Sequence, residues 1–185
     1  MKILIHTCCA PCLIYPYKRL KLKDFEIESF FYNPNIHPLE EYLKRRGQVE
    51  VYAKELNIKM HGPHYDIKEF FKDINQNEEK PLRCNLCWQL RVKKTAQFAK
   101  ENNFDSFTTT LLVSPYQNQE SLKKIGEKCA GEAGIKFYYE DFRVGYKESV
   151  IESKEKDMYR QKYCGCLYSE IERFKEKNKR TNEFL

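Results

Sequence analysis

Seven of the eight cysteines in this chain stand in three short motifs whose spacing is typical of thiolate chemistry. Two of the motifs are C-x-x-C pairs, formed by Cys9 with Cys12 and by Cys84 with Cys87. This spacing lets two thiolates reach one metal ion or one cluster from a single turn of the chain. Two such pairs offer four sulfur ligands, which suit either tetrahedral zinc or a four-iron cubane cluster. The sequence therefore predicts a metal centre.

The other three clustered thiols, Cys8, Cys164 and Cys166, are left over once four sulfurs bind one centre. Zinc has no redox chemistry and gives this surplus no role, whereas a second metal or a dithiol that cycles to a disulfide would use it. Cys164 and Cys166 form a C-x-C pair, which suits a second metal or a strained, easily reduced disulfide. We therefore favour iron, although the spacing leaves zinc open. Cys129 stands alone and is predicted to be a small buried side chain.

Two simpler interpretations of the C-x-x-C pairs compete with a shared centre. The first pair follows a predicted strand and precedes a predicted helix, as a thioredoxin-like redox motif does, but such a motif would not explain Cys8 or the second pair. A structural zinc module would bring its two pairs within about 15–20 residues of each other. Here more than seventy positions separate Cys12 from Cys84. The fold rather than a local module must therefore join the pairs, which favours a site in a cleft.

The composition bounds the kind of protein that carries these thiols. The chain has 185 residues, is 41% apolar and 14% aromatic, and has a formal net charge of +6. This length suits one α/β domain over residues 1–185, and the modest positive charge favours anionic partners such as phosphate or RNA. No apolar run suits a signal peptide or a membrane helix, so we expect a cytoplasmic protein without a membrane partner. In that reducing compartment, cysteines are more often metal ligands or redox thiols than structural disulfides.

Strand and helix patterns alternate along the chain. The predicted strands are residues 2–6, 25–33, 104–113 and 135–142, with a short strand within 58–67. The predicted helices are residues 13–23, 38–57, 68–74, 88–103, the second part of 114–134 and much of the last forty residues. Residues 75–87, which include the second C-x-x-C pair, have the polar composition of a turn. This order predicts an α/β protein with a Rossmann-like parallel sheet flanked by helices and a helical C-terminal part that carries the C-x-C motif.

Polar or thiol-rich segments follow three of the predicted strands. Because ligands of open α/β sheets bind beyond the carboxyl ends of the strands, these segments are predicted to form one composite site. Arg160 and Tyr163 stand next to the C-x-C thiols, where an arginine can pair with a phosphate and a tyrosine can stack on a base or donate a proton. Each segment could equally be an ordinary turn. The candidates besides the thiols are Tyr32, Asn33, Asn35, His37, Ser114, Tyr116, Arg160, Gln161 and Tyr163.

Seven segments, taken in order, resemble one protein family. They are HTCCAPC, YNPNIHP, EYLKRR, RCNLCWQLRVKKTA, FDSFTTTLLVSPYQN, DFR and YRQKYCGCLYS, and they extend from His6 to about Ser169. Together they resemble the cobalamin-independent epoxyqueuosine reductases, the QueH family, with no departure at the cysteine positions. The resemblance implies a fold similar to the adenine nucleotide alpha-hydrolases, a [4Fe-4S] cluster with an additional iron, and the last step of queuosine synthesis. In that step the epoxide oxygen of epoxyqueuosine is removed at the tRNA wobble position.

On this resemblance each motif receives a hypothetical role. The cluster ligands are expected to be Cys9, Cys12, Cys84 and Cys87. The second centre, a mononuclear iron or a redox dithiol, is expected to use Cys8, Cys164 and Cys166. Residues expected to take part in catalysis are Cys164, Cys166, Tyr163 and His37, and expected substrate contacts are Tyr32, Asn33, Asn35, Ser114, Tyr116, Arg160 and Gln161. The implied partners are a tRNA that contains epoxyqueuosine and an electron donor.

Other functions are kept as alternatives. A zinc-stabilised tRNA-binding module predicts a colourless protein in which the C-x-C pair is dispensable. A tRNA sulfur-transfer enzyme on the same fold predicts an ATP-binding glycine loop after the first strand, where TCCAPC stands instead. A small electron carrier would need neither substrate loops nor a basic face. The sequence favours the reductase over all three.

Overall fold

The computed structural model describes residues 1–177, and its centre is a five-stranded parallel sheet. The strands are β1 (Lys2–His6), β2 (Glu26–Phe30), β3 (Met60–His61), β4 (Ser106–Thr109) and β5 (Lys136–Phe137). Their order across the sheet is β3-β2-β1-β4-β5, which makes β1 the central strand. His6, at the end of β1, lies opposite Phe30 on one side and Thr109 on the other. The carboxyl ends of these strands therefore meet at one edge, and the predicted parallel α/β fold is confirmed.

Helices and two 3₁₀ turns connect and cover the strands. The helices are α1 (Ala10–Lys21), α2 (Leu39–Glu55), α3 (Ile67–Ile74), α4 (Leu82–Glu101), α5 (Gln119–Ala133), α6 (Tyr146–Glu155) and α7 (Leu167–Lys177). The 3₁₀ turns are Thr110–Val113 and Phe142–Gly145. The C-x-C motif lies in irregular chain between α6 and α7, and residues 178–185 of the predicted helical C-terminus lie outside the described residues. None of the helices within residues 1–177 combines the length and the apolar character needed to cross a bilayer.

The side chains of β1 alternate between the two faces of the sheet, as the two-residue period of a strand requires. Ile3 and Ile5 enter an apolar cluster with Leu13 of α1 and with side chains of α2. Leu4 points to the opposite cluster, which contains Val92 of α4 and Phe107 of β4. Because helices cover both faces, β1 is apolar throughout its middle and holds its carboxyl end rigidly at the centre of the sheet.

The second C-x-x-C pair lies in a helix and not in the predicted turn. The prediction of a turn over residues 75–87 is wrong at its end, because α4 begins at Leu82 and contains Cys84 and Cys87. Arg83, Cys87 and Trp88 form part of the buried face of this helix. Tertiary burial of these side chains overrides the polar local composition on which the turn prediction depended.

Other element ends also differ from the prediction. Helix α1 begins at Ala10 rather than at residue 13, and Cys9 is its N-cap residue. Pro11 fits the first turn of this helix, because backbone N–H groups in a first turn have no partner within the helix. Strand β4 ends at Thr109, whose Oγ1 accepts a hydrogen bond from the backbone N–H of Leu111 (3.2 Å) and starts the 3₁₀ turn. The predicted strand over residues 135–142 pairs only at Lys136–Phe137.

Candidate metal centre

Three thiols meet where the central strand passes into α1. Cys8 follows the end of β1, Cys9 is the N-cap of α1, and Cys12 lies in the first turn of that helix. Their sulfur atoms all lie within 4.8 Å of one another. The Sγ atoms of Cys9 and Cys12 are 2.7 Å apart, and those of Cys8 and Cys9 are 3.9 Å apart. This N-terminal triad therefore directs three soft donors to one point, as a thiolate-bound metal centre requires.

Buried polar contacts fix the backbone that carries the triad. His6 Nε2 lies 3.2 Å from the carbonyl oxygen of Tyr32 and 3.2 Å from Asn33 Oδ1, and both oxygens only accept, so Nε2 carries the proton. His6 Nδ1 accepts from the hydroxyl of Thr109 (2.9 Å). Burial, assisted by the positive charge of Arg91, lowers the pKa of His6 to about 4, so this imidazole is neutral near pH 7.

The side chain of Asn33 belongs to the same support. Its Nδ2 donates to the carbonyl oxygen of Thr7 (2.9 Å), while its Oδ1 faces His6. The residue is buried and its amide is engaged at both ends. The structure therefore gives Asn33, an expected substrate contact, a supporting role beneath the thiols.

Two polar side chains donate hydrogen bonds to the sulfur atoms of the triad. The hydroxyl of Thr110 lies 3.3 Å from Cys8 Sγ, and its oxygen accepts from the backbone N–H of Cys8 (3.1 Å). The Nε2 of Gln161 lies 3.0 Å from Cys9 Sγ and 3.8 Å from Cys12 Sγ. Gln161, predicted as a substrate contact, thus touches the sulfur atoms themselves. Such donors stabilise thiolates, which are the form that binds metal.

The three thiols of the triad ionise unequally. The thiols of Cys12 and Cys9, with the Thr110 hydroxyl, donate to Cys8 and hold the pKa of its thiol well below the usual value. Burial instead raises the pKa of the Cys9 thiol. The three thiols therefore titrate as one coupled group.

A second group of thiols forms between α4 and the segment that precedes α7. We call it the thiol quartet, and it consists of Cys84, Cys87, Cys164 and Cys166. Cys87 and Cys166 are buried together with Phe70 of α3, whereas Cys164 is exposed. Burial raises the pKa of Cys87 to about 12, and negative charge on Cys164, Cys166 or Cys84 acts in the same direction. The four thiols are thus close enough for the charge of one to affect the others.

The two thiol groups are separate in the structure. Within residues 1–177, the N-terminal triad is the one group of three or more possible ligands whose donor atoms all lie within 4.8 Å of each other. The sulfur atoms of the two C-x-x-C pairs do not all lie this close to one another. Buried Arg91 links the groups, since thiolate charge on Cys87, Cys164 and Cys8 acts on its guanidinium. The assignment of individual cysteines to a cluster or to a second centre stays a prediction.

A buried arginine fixes the C-x-C segment. Arg45 of α2 is 1% exposed, and its Nη1 and Nη2 donate to the carbonyl oxygens of Cys164 (2.9 Å) and Tyr163 (3.1 Å). Its Nε donates to Glu41 (2.7 Å), which neutralises the charge. The sequence pattern predicts no role for Arg45, although this residue stands in the segment EYLKRR. A charged residue in a helix is usually solvated, and only the fold shows that this one is buried.

Gly165, between the two thiols of the C-x-C pair, fits closely against the loop after β2. Its φ of +147° lies in the region that favours glycine, and a Cβ there would lie 3.0 Å from Asn35 Nδ2 and 3.1 Å from Ile36. Its carbonyl oxygen accepts from the backbone N–H of His37 (2.8 Å), and the hydroxyl of Tyr163 donates to the carbonyl oxygen of His37. The loop after β2 is therefore the seat on which the C-x-C segment lies.

The imidazole of His37 is buried beside this seat. Its Nε2 lies 3.0 Å from the carbonyl oxygen of Pro34 and must donate to it, which leaves Nδ1 as an acceptor with no hydrogen-bond partner within residues 1–177. The ring stacks on Phe71 at 5.2 Å. Burial lowers the pKa of His37, so the neutral ring with a free lone pair prevails near pH 7. Asn35 is also buried, and its Oδ1 has no partner.

The remaining predicted residues divide between buried and accessible positions. Tyr32 is buried and donates to Glu69 (2.6 Å), while Ser114 accepts from the backbone N–H of Tyr116 (3.3 Å). Tyr116 is 81% exposed and Arg160 is also exposed, which leaves both accessible to a large ligand. Among these residues only Tyr116 and Arg160 therefore present open side chains.

Gln117 was missed by the sequence analysis and connects two parts of the site. Its Oε1 accepts from the indole N–H of Trp88 (3.0 Å), and its Nε2 lies 3.9 Å from Cys164 Sγ. The quoted segment VSPYQN contains this residue, but an amide in a loop gives no signal of its own. The contact places the loop after β4 beside the thiol quartet.

Comparison with known proteins identifies the family. A family model described as Epoxyqueuosine reductase QueH matches residues 3–172. The chain is 36% identical over 178 residues to the epoxyqueuosine reductase QueH of Dehalococcoides mccartyi, which covers 96% of this chain and 97% of that protein. It is 39% identical over 179 residues to the QueH of Thermotoga maritima, with 92% and 91% covered.

Solved structures with the same fold are far more distant in sequence. One is the U34-tRNA thiolase NcsA from Methanococcus maripaludis with its [4Fe-4S] cluster, at a TM-score of 0.58 and 13% identity, covering 96% of this chain and 67% of that one. Another is a predicted subunit of tRNA methyltransferase from Methanocaldococcus jannaschii, at a TM-score of 0.56 and 14% identity, covering 84% and 74%. These likenesses show the fold, whereas the family model and the relatives cover nearly the whole chain: it belongs to the epoxyqueuosine reductase QueH family.

Proposed function

We propose that this chain reduces epoxyqueuosine at the wobble position of tRNA to queuosine. The observation that carries the proposal is the gathering of Cys8, Cys9 and Cys12 at the carboxyl end of the central strand, in a member of the reductase family. The reaction takes two electrons and two protons, breaks both C–O bonds of the epoxide, and releases the oxygen as water. An electron donor must therefore supply two electrons in each turnover.

The cofactor is proposed to be a [4Fe-4S] cluster, and the donor set supports this choice. The N-terminal triad and the thiol quartet offer only sulfur, which is the ligand type of iron–sulfur clusters. When bound, such a cluster supplies electrons one at a time. The thiols that the cluster leaves free can hold an additional mononuclear iron or form a redox dithiol, and either would help to complete a two-electron change.

The ligands of the cluster are proposed to be Cys9, Cys12, Cys84 and Cys87, with Cys8, Cys164 and Cys166 left for the second centre. The separation of triad from quartet makes a different division the main competitor, in which each group serves its own centre. Iron and sulfide counts on anaerobically purified Cys9→Ala and Cys84→Ala decide between them. Loss of the cluster in both variants supports the proposed set, and a full cluster in either variant would contradict it. Cys129→Ala, buried among apolar side chains near α4, is the matched control.

The substrate is proposed to reach the thiols as part of an intact tRNA. The net charge of +6 favours the phosphate backbone, and Arg160 is an exposed cation two residues before Lys162 and four before Cys164. Exposed Tyr116 can stack on an unstacked base. Affinity for an anticodon stem-loop should therefore fall steeply as salt rises. Affinity that is independent of salt would contradict phosphate contacts.

The direct test of the proposed function is conversion of the nucleoside. Anaerobically reduced protein is mixed with tRNA that contains epoxyqueuosine, and the digested nucleosides are separated and weighed by mass spectrometry. The proposal predicts a product that has lost one oxygen atom. A colourless protein with bound zinc would instead support a structural tRNA-binding module.

The fold likeness to a U34-tRNA thiolase favours one further candidate, a sulfur-transfer enzyme. This candidate fits less well, because the family that covers the chain is a reductase family and TCCAPC occupies the position expected for a phosphate-binding glycine loop. It predicts a product that gains sulfur and a dependence on ATP. The nucleoside analysis described above separates the two outcomes.

A further inference from the structure

Arg91 is a buried cation beside the thiols. It lies on α4 one turn after Cys87 and is 1% exposed. Its Nε donates to the carbonyl oxygen of Cys87 (3.0 Å), and its Nη2 is buried with no hydrogen-bond partner among the described residues. A guanidinium is charged at every physiological pH, so the chain keeps a full positive charge at a position where desolvation opposes it.

The other two buried arginines of this region have carboxylate partners. Arg45 pairs with Glu41, and Arg83 pairs with Glu172 at 2.6 Å. Within residues 1–177 no carboxylate pairs with Arg91. Of these three arginines, Arg91 is therefore the one whose charge no carboxylate in the described part of the chain compensates.

The groups that act most strongly on Arg91 come from three separate elements. Burial lowers the pKa of its guanidinium, but thiolate charge on Cys87 of α4, Cys164 before α7 and Cys8 after β1 outweighs burial, so that the net direction is upward. The positive charge of Arg91 also helps to lower the pKa of His6 of β1. Arg91 thus acts on thiols of both groups, and these thiols compensate its charge once metal binding has deprotonated them.

We propose that Arg91 is a positioning residue that supplies a fixed positive charge to the thiol-bound redox centre and favours its reduced form. The inference rests on the proposed function, since it requires iron bound by these thiols. A centre held by several thiolates is anionic, and a one-electron reduction adds one more negative charge. A cation held in a low-dielectric interior stabilises the reduced centre more than the oxidised one, which raises the reduction potential.

A redox titration tests this role without any tRNA. Wild type, Arg91→Gln, Arg91→Lys and Lys94→Gln are purified anaerobically, reduced stepwise with dithionite, and followed by visible absorbance and electron paramagnetic resonance. Arg91→Gln is expected to make reduction about tenfold less favourable, a shift of about 59 mV to lower potential for one electron. Arg91→Lys keeps the charge and should restore most of the potential. Lys94→Gln removes the same charge from an exposed position of α4 and should leave the potential unchanged.

Each result supports or overturns the inference. An unchanged potential in Arg91→Gln would overturn it, and so would an equal shift in Arg91→Lys, because the shape of the guanidinium and not its charge would then matter. If Arg91→Gln binds no iron, Arg91→Lys decides: iron bound at the wild-type potential supports the charge, and loss of iron from both variants in folded protein overturns it. Wild type without iron contradicts the proposed function itself, which is a distinguishable result.

Discussion

The two thiol-bearing regions of the molecule are held by different means. The N-terminal triad is held by regular elements, because Cys8 and Cys9 lie between the end of the central strand and α1, and Cys12 lies in the first turn of that helix. The C-x-C segment between α6 and α7 is irregular and depends on side-chain contacts, chiefly the guanidinium of Arg45 and the close fit of Gly165. The sheet itself therefore positions the first region, whereas a few specific contacts position the second. Single substitutions should be able to displace the second region and leave the first in place.

The largest effect is expected from Arg45→Ala. The substitution removes the cation that pairs with Glu41 and both hydrogen bonds to the C-x-C segment. Breaking such a buried pair should lower the free energy of unfolding by about 3–5 kcal/mol, measured by urea denaturation. Arg46→Ala removes a neighbouring, more exposed pair with Glu50 and should cost about 0.5 kcal/mol. Equal losses of unfolding free energy in the two variants would contradict the role of Arg45 in holding the C-x-C segment.

A smaller effect is expected from Gly165→Ala. The φ of +147° costs about 1–3 kcal/mol for a residue with a Cβ, and the contact with Asn35 adds to this cost. The matched control is Gly131→Ala in α5, where a Cβ meets nothing within 4 Å and should stabilise the helix by about 0.5–1 kcal/mol. The urea midpoint is expected to fall in Gly165→Ala and to rise in Gly131→Ala. A neutral Gly165→Ala would show that the C-x-C segment adapts freely.

The N-terminal triad is probed by Thr110→Val. This substitution removes the acceptor of the Cys8 backbone N–H and the donor to Cys8 Sγ, and it should cost about 1–3 kcal/mol in unfolding free energy. Thr95→Val in α4 is the control, because the Thr95 hydroxyl donates only to the carbonyl oxygen of Arg91 in its own helix (2.7 Å). A larger loss in Thr95→Val would contradict the support assigned to Thr110.

The smallest expected effect is the pH dependence of stability that comes from His37, in the loop after β2 on which the C-x-C segment lies. Its folded pKa is lowered by burial, so the unfolded chain binds the proton more tightly. Stability from this group is therefore complete above the unfolded pKa of about 6.5 and is lost as pH falls below it. His37→Gln should show a weaker fall in urea midpoint between pH 7 and pH 5. His6 titrates in the same direction and is present in both proteins, so the difference reports His37 alone.

The comparison also shows what the sequence could predict. The alternation of strand and helix patterns correctly predicted the parallel sheet, because it follows from local pattern and topology, whereas the division of the thiols between two centres stays a prediction. Arg45 and Arg91 were missed because a charged residue in a helical pattern gives no local sign of burial. The start of α4 was missed for the same reason, since burial of one face outweighed its polar composition.

The central claim is that both thiol regions serve one reaction at one site. The measurement that tests it most directly is single-turnover conversion of epoxyqueuosine in tRNA by wild type, Cys129→Ala and Cys166→Ala, with iron counted in each preparation. The account predicts queuosine from wild type and Cys129→Ala, and iron without queuosine from Cys166→Ala. Conversion by Cys166→Ala at the wild-type rate would contradict the account.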